Sequence, residues 1–414
     1  MGDSVFPGAK TVILLASGHD IAQSVTGHRD VSSRLSNVPP SCYSIENNTI
    51  VIRGETMQDR RTFIKASLAA AGALGLGGLS STANATSTQS VLVFDAMGEI
   101  REVYGPDLLQ EMIDSGINAI TKTMCDPKTF ELEAMEVALE GMSTFDAWIA
   151  ANPTQVMKAT SVADLDRAQR ENKIAVFYLI QNSTPFGRDL DRVDTFYALG
   201  LRSVQVTYNY QNWAGAGCKE RNNSGLTEFG LQLVAKLNDT NMLVDCSHAN
   251  MQTMADTIRA SKVPVIVSHT GCATLHTNDR NTTDENLRLL ADHGGVVGID
   301  QIRTHISPLR DGAVEHYYDH IQHAINVCGI DHVGIGSDRD HRFIDLTPEY
   351  IAELKSEQGA NLNEADLPWF MPALNGPRRM ETIWDGLKGR GFSDDELEKI
   401  MGANVRRIYV DTIG

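Results

Sequence analysis

The sequence predicts an α/β protein, a (β/α)8 TIM barrel. Two observations carry this. Eight short apolar runs recur between residues 91 and 338, and each is followed by a segment of helical periodicity. The first run ends in Asp95-Ala96-Met97-Gly98-Glu99, without the GxGxxG turn of a nucleotide-binding open sheet.

The runs are Val91–Asp95, Ile117–Met124, Ile174–Gln181, Ser203–Asn209, Met242–His248, Val263–His269, Gly295–Asp300 and His332–Asp338. Their nearly continuous apolar character suits parallel strands covered on both faces. Between them, Leu226–Asn238 and Met251–Ser261 space apolar residues three and four apart, as amphipathic helices do. Eight alternating units close a barrel. Two longer stretches interrupt the alternation. Residues 127–172 read as two helices, and residues 343–377, with Pro368, Pro372 and Pro377, read as a lid-like excursion. Ser393 with Glu396 three residues on opens a last helix through Arg407.

The 414 residues carry 42% hydrophobic side chains and a formal charge of −17. Such a balance supplies a large core and excludes a nucleic-acid partner, which needs a basic stripe. Six cysteines form no CxxC pair, and Cys246, Cys272 and Cys328 sit among apolar neighbours as small hydrophobes.

Arg60-Arg61, an uncharged run from Ala66 to Leu79 and the small-x-small ending Ala83-Asn84-Ala85 resemble a twin-arginine export signal. The run is too short for a membrane span of about 20 residues. Met57 is therefore read as the native start, residues 1–56 as a non-native or disordered leader, 57–85 as the signal and 86–414 as the barrel. The expectation is passage through the twin-arginine machinery to the periplasm or beyond, with no stable membrane span.

Barrel enzymes place reactive groups where strands stop, at the carboxyl-terminal mouth. Strand three ends at Gln181, four at Tyr208-Asn209, five at His248, six at His269 and eight at Asp338, while Glu99 follows strand one. Two histidines ending neighbouring strands form a pair suited to zinc. Asp338 adds a carboxylate for a metal or a proton, and Arg280 is placed to clamp a substrate carboxylate. His316, His320 and His323 also share a helical face, but that helix precedes strand eight and belongs outside the barrel.

At these residues the chain resembles the membrane (renal) dipeptidase family of metallopeptidases. The resemblance runs from Val91 to Tyr409. It rests on Gly225-Leu226-Thr227-Glu228-Phe229-Gly230, Val244-Asp245-Cys246-Ser247-His248, Val267-Ser268-His269, Asp279-Arg280-Asn281, the stretch from Asp331 through Gly334-Ile335-Gly336 to Asp338, and Met401-Gly402-Ala403-Asn404-Val405-Arg406-Arg407. It implies a barrel of the metallo-dependent hydrolase type, with two zinc ions, that cleaves dipeptides. It also implies His248 and His269 as ligands of one zinc, Asp338 as the proton-handling carboxylate and Arg280 at the substrate's terminal carboxylate.

The chain departs from the pattern at the other zinc. The family's first-strand His-x-Asp pair falls on Met97 and Glu99, its bridging Glu on Gln181, and a carbonyl-polarising His on Tyr208. Glu140, in a Glu-Gly pair, lies one element too early to serve as the bridge. One zinc is expected, on His248 and His269 with Asp338 or Gln181, Glu99 is a further candidate ligand, and a second zinc is in doubt. Tyr208 then supports the oxyanion, and Asn209 and Arg280 bind a dipeptide or small peptide-like substrate. A homodimer is compatible with this reading. Two alternatives stand beside it: a catalytically altered or inactive barrel that binds a ligand, and a metal-free enzyme that tailors a peptide-like metabolite.

Overall fold

The computed structural model describes residues 91–358 and 362–414, together with four strands nearer the amino terminus. The chain divides into two units, Met1–Thr86 and Ser87–Gly414. In the first, β1 (Thr11–Leu15), β2 (Ser24–Val25), β3 (Tyr43–Glu46) and β4 (Thr49–Arg53) form a sheet in the order β2-β1-β4-β3. Strands β1 and β4 run parallel. The segment read as an export signal lies outside the described residues.

The second unit is the expected barrel. Its eight strands are β5 (Val93–Asp95), β6 (Ile117–Thr123), β8 (Ile174–Ile180), β9 (Leu201–Gln205), β10 (Leu243–Asp245), β11 (Ile266–Thr270), β12 (Val296–Ile299) and β13 (Val333–Ile335). They pair in parallel in chain order, β13 returns to β5, and β6 meets β8 to complete the ring. Every residue of β8 is buried, because helices cover one face and the barrel interior the other. The strands end one to four residues before several of the predicted stops. Most of the predicted mouth residues thus sit on the loops just beyond the strands, whereas His269 lies within β11.

The stretch 127–172 holds more than two helices. Between α2 (Glu131–Ala151) and α3 (Val162–Glu171) lies β7 (Val156–Ala159), a ninth strand. It pairs with the first half of β8, from Ile174 to Phe177, and β9 takes over from Tyr178. Four residues, one of them Lys158, are too short to register as an apolar run.

The helices α4 (Asp191–Ala198), α5 (Glu228–Asp239), α6 (Met251–Ala260), α7 (Asp284–Asp292), α8 (Arg303–Ile306) and α9 (Ala313–Cys328) follow their strands. Thr227, Asn250 and Thr283 cap α5, α6 and α7 by accepting from the third backbone N–H onward. The excursion contains α10 (Pro348–Gln358) and two short turns at Glu364–Asp366 and Pro372–Leu374. It is fastened rather than free. Buried Arg303 donates from its guanidinium to the carbonyls of Asp366 and Pro368, and from its backbone to Trp369.

After α11 (Arg379–Gly389), the capping box at Ser393 and Glu396 opens the closing segment as predicted. A π turn at Lys399–Ala403 then separates α12 (Asp394–Glu398) from α13 (Asn404–Ile413). Gly402 explains the close approach there, since a Cβ would collide with the Leu92 carbonyl just before the first barrel strand. Asn404 bonds the carbonyls of Ile330 and Val333, and Tyr409 packs on Phe94 and Phe177 with centroids 4.9 and 4.7 Å away. Among the described residues no helix is long and apolar enough to cross a membrane.

Candidate active site

Strands β10 and β11 are neighbours, so His248, just past the end of β10, and His269, within β11, face one another. The separation of the two Nε2 atoms is 3.0 Å. Each ring is fixed from behind. His248 Nδ1 lies 2.7 Å from the Asn209 side-chain oxygen, an acceptor, so that nitrogen carries the proton. His269 Nδ1 lies 2.8 Å from the Ser268 hydroxyl. That hydroxyl donates to Asp245 at 2.5 Å and therefore accepts from the imidazole. Asp245 also accepts from the N–H groups of Ser247 and Ser268 and from Gln205.

Both Nε2 atoms consequently present lone pairs to the same point. Burial, then the Arg280 cation, hold both imidazoles well below their ordinary pKa, which keeps them neutral. Two facing lone pairs repel unless a cation lies between them. Two nitrogens on a tetrahedral zinc with bonds of about 2.0–2.1 Å stand about 3.3 Å apart, close to the observed pair. The pair therefore fits a metal ion. His248 also adopts a positive φ of 63°, a conformation a non-glycine residue takes only when its surroundings compel it.

Gln181 reaches this point as well. Its amide nitrogen stands 3.5 Å from His269 Nε2, and a half-turn of the amide presents the carbonyl oxygen instead. Glu99 does not join the pair. Its carboxylate accepts from Arg101 Nε at 2.5 Å, and among the described residues no three of His, Cys, Asp or Glu converge on a metal point. Met97 is buried beside it. The carboxylate-rich half of a binuclear centre is thus not assembled.

Two cavities of about 420 and 740 Å³ open on the mouth and share Lys128, Tyr208, Ile302, Asp338 and Trp369. The smaller contains Met97, Glu99 and Gln181, and the larger His248, Asn209 and Arg280. Tyr208 packs its ring on His248 with centroids 4.1 Å apart. Burial, helped by Asp338, pushes its hydroxyl pKa up, so it stays protonated and able to donate. Arg280 is buried, donates to the His269 carbonyl at 3.3 Å and faces the larger cavity. Asn209 sits where substrate binding was expected, but its oxygen is occupied by His248. It orients that imidazole.

Asp338 follows β13 with a positive φ of 51°, held by a bond from its N–H to the Met97 carbonyl. Asp95 fixes the preceding Ser337 through its N–H and hydroxyl, at 2.8 and 2.5 Å, and burial pushes the Asp95 carboxyl up to about 6. Lost solvation, reinforced by the Asp300 carboxylate, pushes Asp338 up to about 8.

The histidines of α9 all have partners elsewhere. His316 meets Ser307, His320 bridges the Cys272 N–H and the Ile306 carbonyl, and His323 pairs with Asp284. They form no metal site. Glu140 lies on α2, as expected. The five cysteines of the described residues are free.

With this geometry, comparison with known proteins becomes decisive. A family model for membrane dipeptidases, peptidase family M19, matches residues 99–355. The chain belongs to this family. A protein of the pqqA 5′ region of Klebsiella pneumoniae, described as uncharacterized, is 29% identical over 221 residues, 50% of this chain and 80% of that one. An amidohydrolase from Pseudomonas aeruginosa is 27% identical with a TM-score of 0.70, covering 78% of this chain and 97% of that chain. A metallopeptidase from Rhodobacter sphaeroides, solved with a phosphinate mimic of the dipeptide L-Ala-D-Ala, shares the fold at 18% identity. Its TM-score is 0.67, and it covers 78% of this chain and 99% of that one. The chain is a membrane dipeptidase family member with a dipeptidase-like hydrolase barrel.

Sequence reasoning missed three members of this dipeptidase-family site. Ser268 and Asp245 fix His269 from within the motifs already noted. Asp300, the last residue of the seventh run, binds His305 Nδ1 at 2.9 Å. The strand-end rule pointed at Asp300, but nothing in an Asp-x4-His spacing reveals that α8 folds the imidazole back.

Proposed function

We propose that this protein is an exported, zinc-dependent hydrolase of dipeptides or similar small amides that works with one metal ion. The observation that carries the reading is the pair of inward-facing Nε2 lone pairs, each fixed by a proton on the opposite nitrogen. His248, His269 and the Gln181 carbonyl oxygen would hold the ion, with water completing the set. When bound, zinc supplies a water acidic enough to act near neutral pH.

The chain's own residues supply the rest. Arg280 holds the substrate carboxylate in the larger cavity by charge-assisted bonds. Tyr208 donates to the oxygen on which negative charge develops. Asp338, in its ionised form, accepts the proton of the attacking water. The Arg60-Arg61 pair supports export through the twin-arginine route to the periplasm.

The test is hydrolysis of L- and D-configured dipeptides by the purified protein. The expected result is turnover that a chelator abolishes and zinc restores, and that His248→Ala removes together with the bound metal. Undiminished turnover in the chelator would refute the mechanism. Metal binding without turnover of any dipeptide would favour the binding or tailoring role, which Met97 and Gln181 support by replacing ligands of a second ion.

A further inference from the structure

We propose that His305, oriented by Asp300, is the catalytic acid that protonates the leaving amine in this mouth. The proposal rests on the hydrolytic reading above. Asp300 closes β12 fully buried, with one carboxylate oxygen accepting the Ile302 N–H and the other 2.9 Å from His305 Nδ1. A buried carboxylate requires a hydrogen-bonding partner, and the His305 Nδ1–H supplies one at 2.9 Å. With Nδ1 committed to Asp300, the proton available for transfer is on Nε2. Among the described residues that nitrogen has no hydrogen-bond partner, and His305 lines the larger cavity with His248, Arg280 and Asp338. Its backbone is fixed too, because Asn281 donates to the His305 carbonyl at 2.7 Å.

The charged and titratable groups that share this cavity with His305 are Lys128, Tyr208, Tyr210, Lys219, His248, Asp279, Arg280, Asp338 and Asp366. Arg280 follows β11 and Asp338 follows β13, and α8 lies beyond β12 between them. A substrate whose carboxylate rests on Arg280 therefore carries its scissile nitrogen past His305. The protons balance as follows. The water oxygen bonds to the carbonyl carbon and its proton passes to Asp338. The C–N bond breaks as the nitrogen takes the Nε2 proton of His305. Asp338 then releases its proton to solvent and His305 takes one from solvent, giving one acid and one amine per water consumed.

The test compares two substrates in the full-length protein loaded with zinc. One is the dipeptide best cleaved by the native chain. The other is the matching aminoacyl ester of 3-hydroxy-4-nitrobenzoate, whose leaving group keeps a carboxylate for Arg280 but departs as an anion needing no proton. His305→Gln is expected to lower kcat for the dipeptide by about 100-fold or more, the usual contribution of an acid, and to leave ester turnover within about threefold. Zinc content and melting temperature should match the native protein. Asp300→Asn is expected to move the alkaline limb of the dipeptide pH profile to lower pH without moving the ester profile. If His305→Gln does not fold, the native chain decides alone, since the alkaline limb should be present for the amide and absent for the ester. Equal losses on both substrates, or identical limbs, would overturn the assignment of His305. A native chain that cleaves neither substrate would instead overturn the hydrolytic reading, and the proposal with it.

Discussion

Asn209 is the most informative residue to remove, because it acts on the proposed metal site only through its neighbour. Its side-chain oxygen holds the His248 Nδ1 proton at 2.7 Å. Asn209→Ala frees that ring to take the other tautomer, which places a proton where the ligand lone pair belongs. Loss of such a supporting bond typically costs 10–100-fold in metal affinity, or about 1.4–2.7 kcal/mol. The same change on the other side, Ser268→Ala, releases His269 and also strips Asp245 of its 2.5 Å donor. Zinc competition against a chromogenic chelator measures both. Affinity in Asn209→Ala should fall at least tenfold with zinc stoichiometry retained. Affinity within twofold of the native value would refute the claim that the outer bonds set the tautomers.

Three further outcomes follow from the same structure. Arg280→Ala should raise KM for carboxylate-bearing dipeptides by about 10- to 100-fold, the worth of a hydrogen bond to a charged group, while a dipeptide amide is affected far less; equal effects on both would remove the carboxylate from Arg280. Asp338, pushed up to about 8 in the folded protein against an ordinary 3.8, binds its proton more tightly folded than unfolded. Its stabilising contribution is complete below pH 4 and is lost as pH rises to 8. Denaturation of metal-free protein should therefore show native stability falling relative to Asp338→Asn between pH 5 and 8.5, and parallel curves would contradict this. Gly336→Ala should destabilise the barrel by several kcal/mol, measured as a fall in melting temperature, because its Cβ would strike the Ser268 carbonyl behind His269; an unchanged melting temperature would exclude so tight a contact.

The barrel was legible because its signal is repetitive. Eight buried runs at strand spacing leave few other closed arrangements, and an error of a few residues at each end changes nothing in the topology. Strand β7 was not legible, since Val156–Ala159 is four residues with a lysine inside. The His248 and His269 pair followed from the rule that strand ends converge, and Arg280 and Asp338 from their place after β11 and β13. What the sequence could not convey is direction. Asn209 looks like a substrate contact until its oxygen is found facing an imidazole, and Glu99 looks like a ligand until Arg101 is found on its carboxylate. His305, on the short helix α8, and Trp369, on the excursion, enter the mouth through geometry fixed by Asp300 and by the Arg303 N–H, which no residue spacing conveys.

Zinc stoichiometry of the purified chain, with and without His269→Ala, tests the account most directly. One zinc per chain is predicted for the native protein and none for the variant, because 3.0 Å between two lone-pair nitrogens leaves room for one shared cation. Two zinc ions per native chain, or one that persists in His269→Ala, would contradict it.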